Sequence, residues 1–244
     1  MVPSLEADRC QVWWARPADS RPDLDRLLEP GERERRDRLV RAEDRDRLTV
    51  GAALARLVLA GHLDRPAERL RFDRTCGTCG GDHGKPRLVA DAGGLELSIS
   101  HSGARVAVAV VRGGPVGVDV ERVPPDLDAD ALARLVLSEH ERAGFERLPH
   151  ADRRRALLTY WTRKEALLKA TGEGLRAAMP GITVSGPDEP PLLRDWPERP
   201  AARPVALRAL RPGSGYVASL AVLGLTTVRV RELDGGELLA GGSG

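Results

Sequence analysis

The runs LELSIS at 95–100 and RVAVAVV at 105–111 are separated only by HSGA. A strand, a short polar turn and a strand commit the middle of the chain to a sheet. Each half adds the same ingredients around it. In the first, the apolar stretch around Val12, Trp13 and Trp14 reads as a strand. Leu48–Leu63 then repeats apolar residues at Leu54, Leu57 and Val58 in the period of a buried helix ending near Gly61. In the second, GVDVERV at 117–123 reads as a strand, Ala129–Leu148 as a helical region, and Arg153–Thr171 as the strongest helix, closed by Gly172 and Gly174. VASLAVLGLTTVRVREL at 217–233 reads as a strand, a tight connection and a strand. RGGP at 112–115 marks the hinge, so the expected fold is α+β with two comparable lobes, 1–113 and 114–244. Residues 73–87 and the Pro-rich 186–204 read as loop, and GGELLAGGSG at the end as a frayed tail.

Charge narrows the function. The 38 basic and 36 acidic side chains nearly cancel, so no whole-molecule field draws the 244-residue chain to nucleic acid or an anionic membrane. The best apolar stretch, LTVGAALARLVLA at 48–60, is too short to span a bilayer and contains Arg56. With no signal pattern at the start and three cysteines, a cytoplasmic protein is expected. From Glu29 to Arg47, seven acids alternate with seven arginines, the mark of a solvated helix face. Cys76 and Cys79 form a C-x-x-C with His83 four residues on, but a structural zinc site wants four ligands and the one further cysteine is Cys10. The segment reads as a plain Gly-rich loop.

Local chemistry is sharper. Only three of the 38 basic residues are lysines, Lys85, Lys164 and Lys169, in a chain that otherwise uses arginine for positive charge. Ammonium and guanidinium differ in hydration, donor geometry and readiness to lose a proton, so these three positions stand out. In the strand GVDVE, alternation places Asp119 and Glu121 on one face and Val118 and Val120 on the other. Paired carboxylates resist ionising together unless a cation lies between them. Mg²⁺ suits such a pair, taking one or two carboxylates and filling its other positions with water and phosphate oxygens; a solvated strand face with Arg122 as counter-charge is the alternative. WTRKEALLKATGEGL at 161–175 puts Trp161, Glu165 and Lys169 on one helical stripe, so Glu165 offers a third acid or a general base while Lys169 reaches phosphate. HGKP at 83–86 presents Lys85, and SISHSG at 98–103 presents Ser100 and His101, donors that suit a nucleotide or pyrophosphate. The neighbouring Ser and His do not make a hydrolase site, since no G-x-S-x-G elbow is present.

HGKP, SISHSG, GVDVE and WTRKEALLKATGEGL, in that order and spacing, resemble the 4′-phosphopantetheinyl transferases of the monomeric, two-lobed type. The resemblance implies pseudo-symmetric lobes with the active site in the cleft between them. It implies Mg²⁺-dependent transfer of 4′-phosphopantetheine from coenzyme A to a serine of an acyl or peptidyl carrier protein, with release of 3′,5′-ADP. Carried over position by position, Asp119, Glu121 and Glu165 are the Mg²⁺ set, Glu165 is also the base, and Lys169 neutralises the pyrophosphate. Lys85, Ser100 and His101 match coenzyme A contacts, Arg47 the 3′-phosphate contact, and Arg33 or Arg35 basic positions nearby. Two other readings compete. A metal-dependent phosphohydrolase would use the same acids with water as nucleophile. An Arg-rich nucleic-acid-binding module is opposed by the near-neutral charge and the lack of a second C-x-x-C.

Overall fold

The structure, a computed structural model, describes residues 1–6, 8–76, 79–89, 92–172, 178–197 and 203–241. Gly174, read above as part of a helix end, and the side chain of His83 lie outside the described residues. In chain order the elements are β1 (Arg9–Ala15), α1 (Pro30–Asp37), α2 (Ala42–Leu63), β2 (Phe72–Thr75), β3 (Asp82–Leu88), β4 (Leu95–Ser102), β5 (Arg105–Arg112) and β6 (Val116–Arg122). Then follow α3 (Ala129–Val136), α4 (Glu139–Glu146), α5 (His150–Thr171), β7 (Thr183–Val184), β8 (Leu193–Asp195), β9 (Val205–Ala209), β10 (Tyr216–Leu223), β11 (Arg229–Asp234) and α6 (Gly235–Gly241). They form two compact units, Met1–Gly113 with Arg229–Gly244, and Gly114–Val228.

The first unit is a four-stranded sheet of order β11-β1-β5-β4 covered by α2. Strands β4 and β5 pair antiparallel, Ser100 opposite Ala107, and β5 pairs antiparallel with β1, Val108 opposite Trp13. Alternation along β4 sends Leu95, Leu97 and Ile99 into the core under α2 and leaves Glu96, Ser98 and Ser100 on the other face. Helix α2 meets that core with Val50, Leu54 and Val58, all fully buried. It runs past Gly61 and stops at Asp64, whose left-handed backbone (φ +50°) returns its N–H to the Ala60 carbonyl.

Three sequence expectations change here. Residues 73–87 are largely a hairpin rather than a loop: β2 and β3 pair antiparallel, with Phe72 opposite Leu88. Gly84, which looked like a break, lies so close to β2 that a Cβ would stand 2.8 Å from the Arg74 and Thr75 carbonyl oxygens. It is a close-approach glycine inside a strand. The acid–arginine run is two helices, α1 and the start of α2, and is not wholly solvated, because Glu32 is buried. The described C-terminal residues, 229–241, are neither frayed nor part of the second lobe, and 242–244 lie outside the described residues. β11 runs parallel to β1, Arg229 opposite Arg9 through Asp234 opposite Trp14, and Leu239 of α6 is buried in the first core. A pairing of first strand with last is long-range and parallel, so no local turn signal announces it.

The second unit is a three-stranded antiparallel sheet, β6-β10-β9, packed against α5. The two units therefore repeat one plan, a small sheet and a 22-residue helix. The helical region 129–148 divides at Leu137–Ser138, where a Ser138/Glu141 capping box starts α4. Among the described residues no helix is long and apolar enough to cross a membrane.

Candidate active site

Strand β6 is buried on both faces, and the two faces differ. Val116, Val118 and Val120 are fully buried on one. Gly117, Asp119 and Glu121 share the other, which meets α5. At Gly117 the helix touches the strand: a Cβ there would collide with the Ala166 carbonyl oxygen and lie 2.5 Å from Ala170 N. Because the backbones approach this closely, Lys169 Nζ donates to Asp119 Oδ1 at 2.7 Å, with the Asp119 side chain only 4% exposed. One turn earlier on α5, Glu165 is half-buried, and its buried Oε1 has no hydrogen-bond partner. Burial, and next the Asp119 charge, push the Glu165 carboxyl above its ordinary range, with Lys169 pulling the other way. Glu121 lies two residues beyond Asp119 on the same strand face and is partly exposed. Among the described residues no three His, Cys, Asp or Glu side chains form a closed, metal-sized group.

Gly117→Ala tests the role of this contact. Overpacking of about 1–3 kcal/mol or more is expected, because the atoms that the new Cβ meets are helix backbone rather than flexible side chain. Both the thermal midpoint and the catalytic rate should fall as α5 is displaced from Asp119. Gly144→Ala in α4 is the control, since its Cβ meets nothing within 4 Å and gains helix propensity.

The rotation of α5 is set by three consecutive polar residues buried just before Glu165. Thr162 Oγ1 is 3.1 Å from Ser219 Oγ, and Ser219 is the cross-strand partner of Asp119. Arg163 donates to the Ser185, Gly186 and Glu189 carbonyls at 2.8, 2.6 and 3.1 Å, clamping the turn after β7. Lys164, fully buried, donates to the Val136 carbonyl (2.6 Å), the Met179 carbonyl (3.1 Å) and Glu141 Oε2 (2.6 Å). Glu141 in turn accepts Val184 N–H on Oε1 and Ser138 N–H on Oε2. With side chains 162, 163 and 164 each tied to a different segment, α5 has one angular setting, and that setting turns Glu165 and Lys169 toward β6. Sequence reasoning left Lys164 unassigned and passed over Thr162, Arg163 and Gly117. The rarity of lysine was the available signal for Lys164.

The remaining site residues belong to the first unit. Lys85 on β3 is 9% exposed and stands 3.5 Å from Glu96 Oε2 of β4; burial lowers its pKa while Glu96 raises it. Ser100 lies on the same face of β4 as Glu96 and is buried. His101 is exposed and points to the opposite face, so strand alternation separates it from Ser100. Arg47 donates to the Gly103 carbonyl at 2.7 Å and pairs with Glu43 and Asp44, holding the β4–β5 turn to the start of α2. Arg33 donates to the Asp25 carbonyl, and Arg35 is half-buried near enough to Arg74 to lower its pKa, after the larger effect of burial. Cys76 and Cys79 are not joined in a disulfide; the Cys76 carbonyl accepts Gly80 N–H and its own N–H reaches Gly81 O, closing the hairpin end.

The helix–strand site lies inside residues 115–221, which match the family model of the 4′-phosphopantetheinyl transferase superfamily. Across nearly the whole chain, the 4′-phosphopantetheinyl transferase HetI of Nostoc sp. is 31% identical over 228 residues, covering 91% of this chain and 90% of HetI. The chain belongs to the 4′-phosphopantetheinyl transferases. The transferase psf-1 of Bacillus pumilus is 31% identical over 58% of this chain and 56% of its own length. The transferase AcpT of Salmonella typhimurium is 37% identical over 38% of this chain and 47% of its own. As a phosphopantetheinyl transferase, the chain is an enzyme that places phosphopantetheine on carrier proteins.

Proposed function

We propose that this transferase uses coenzyme A as donor and Mg²⁺ as its metal, and that it modifies a serine of an acyl or peptidyl carrier protein. The observation that carries the reading is the buried Glu165 oxygen without a hydrogen-bond partner, beside an Asp119 already engaged by Lys169. Asp119 lies near enough to Glu165 to raise its pKa, Glu121 shares the strand face of Asp119, and the donors of all three are hard oxygens, the type that suits Mg²⁺. These three acids would hold the ion, which supplies charge neutralisation for a diphosphate.

In the reaction the serine Oγ forms a bond to the β-phosphorus of coenzyme A, and the bond from that phosphorus to the bridging oxygen breaks, releasing 3′,5′-ADP. Glu165 takes the serine proton, a task favoured by a carboxylate whose pKa burial has raised toward the working pH. Lys169, still partly exposed, offers its ammonium to the bridging oxygen as it departs on the 5′-phosphate of 3′,5′-ADP. From the first unit, Lys85, Ser100, His101, Arg47 and Arg35 are assigned to the coenzyme's phosphates and nucleotide, with Arg47 exchanging a carboxylate partner for phosphate. The enzyme acts as a monomer, and cysteines held outside any disulfide suit the cytoplasm.

Mass spectrometry checks the reading directly. With coenzyme A, Mg²⁺ and several apo-carrier proteins, at least one carrier should gain the phosphopantetheine mass in step with 3′,5′-ADP release. Release of 3′,5′-ADP at the same rate without any carrier would instead establish a phosphohydrolase.

A further inference from the structure

Arg56 sits in the middle of α2, among residues that build the first core, and its side chain is fully buried. Its Nη2 lies 2.8 Å from Glu29 Oε2 and 2.9 Å from Glu32 Oε2. Its Nη1 donates to the Ala52 carbonyl and its Nε to the Leu70 carbonyl, at 3.2 and 3.3 Å. The guanidinium also stacks 4.7 Å from the centroid of the Phe72 ring. The two acids reach the same strand. Glu29 Oε2 accepts the Phe72 N–H at 3.1 Å, and Glu32 Oε1 lies 3.5 Å from Arg74 Nη2. One buried cation and two acids therefore fasten the chain at residues 70, 72 and 74, every second residue leading into and along β2.

Buried ion clusters seldom add stability over an apolar filling of the same volume, but they do impose a specific arrangement. Here the arrangement concerns the β2–β3 hairpin, which is a two-stranded sheet of its own. Such hairpins are marginal alone. The register runs on from β2 to β3 through Phe72 opposite Leu88 and Asp73 opposite Arg87, and through the contact of Gly84 with the Arg74 and Thr75 carbonyls. The next residue is Lys85, brought to Glu96 of β4.

We propose that Arg56, Glu29 and Glu32 form a positioning device for the β2–β3 hairpin, setting where Lys85 presents its ammonium and thereby the affinity for coenzyme A. Arg56 touches no substrate; it acts through the hairpin. The proposal rests on the assignment of Lys85 to the coenzyme's phosphates.

Steady-state kinetics on Arg56→Met and Glu29→Gln test it, with hydrogen exchange as a second readout. Glu29→Gln keeps the shape of the side chain, so it decides the matter should Arg56→Met fail to fold. The KM for coenzyme A should rise about tenfold while kcat and the KM for carrier stay within twofold. Amides of 72–88 should exchange faster while those of 50–59 remain protected. Lys85→Ala should raise the coenzyme A KM by itself, and adding Glu29→Gln to it should change little more, because both act on one contact. If Lys85→Ala raises the KM but Glu29→Gln does not, or if the two effects multiply, the positioning role is wrong. If Lys85→Ala leaves the KM unchanged, the assignment of Lys85 falls and takes the proposal with it.

Discussion

Glu165→Gln should lower phosphopantetheine transfer by about 10²–10⁴-fold, the range expected on losing a general base, without unfolding the protein. The side chains are nearly isosteric, so no cavity opens, and what disappears is a carboxylate able to take the serine proton and to face a cation. The same substitution should make the protein no less stable, because the charge it removes is poorly solvated, with Oε1 lacking a hydrogen-bond partner. The sign follows from linkage. The folded-state pKa of Glu165 lies above its unfolded value of 4.5, so folding is favoured by its protonated form at low pH, and that advantage is lost as pH rises through the folded pKa. In thermal melts run in EDTA, the glutamine variant should gain on the wild type as pH rises above 4.5. A variant that melts lower while its activity per folded molecule persists would make Glu165 a structural acid.

The second large effect is expected at Lys164. Lys164→Met should destabilise the second unit by about 3–5 kcal/mol, the cost of breaking a buried ion pair from one side. The change leaves Glu141 buried without its ammonium and strips the Val136 and Met179 carbonyls of a donor. Urea denaturation measures the loss. Adding Glu141→Gln should recover part of it, since the double variant no longer buries a lone charge, whereas Lys169→Met should cost far less because that side chain is 30% exposed. A Lys164→Met midpoint within about 0.5 kcal/mol of wild type, the range of ordinary surface substitutions, would refute the structural role. The two neighbouring acid–lysine pairs of α5 thus differ in kind: Lys164–Glu141 holds the unit together, and Lys169–Asp119 lies at its reactive face.

How much of this was legible differs from element to element. The helices α2 and α5 showed in the text because their apolar period is local, and β4, β5 and β6 because strand alternation is local too. The β2–β3 hairpin did not, since Gly84 and Pro86 punctuate β3 and its glycine serves a close approach rather than a turn. β11 was placed in the wrong lobe because VRVREL follows β10 closely in sequence, whereas its partner β1 is more than two hundred residues away. Polar residues misled in the opposite direction. Glu29, Glu32 and Arg56, like Thr162, Arg163 and Lys164, look solvent-facing by type and are buried or nearly so because each finds a partner distant in sequence.

The sequence alone determined which side chains share a face: two-residue alternation aligned Asp119 with Glu121, and four-residue spacing aligned Glu165 with Lys169, because both periods are properties of a single backbone segment. Only the tertiary structure decided that those two faces meet. That step depends on a glycine at 117 letting a helix backbone rest on a strand, and on three buried polar side chains fixing the helix's rotation. Such contacts join residues from 22 to 57 positions apart, and packing at that range leaves no periodic trace in the chain.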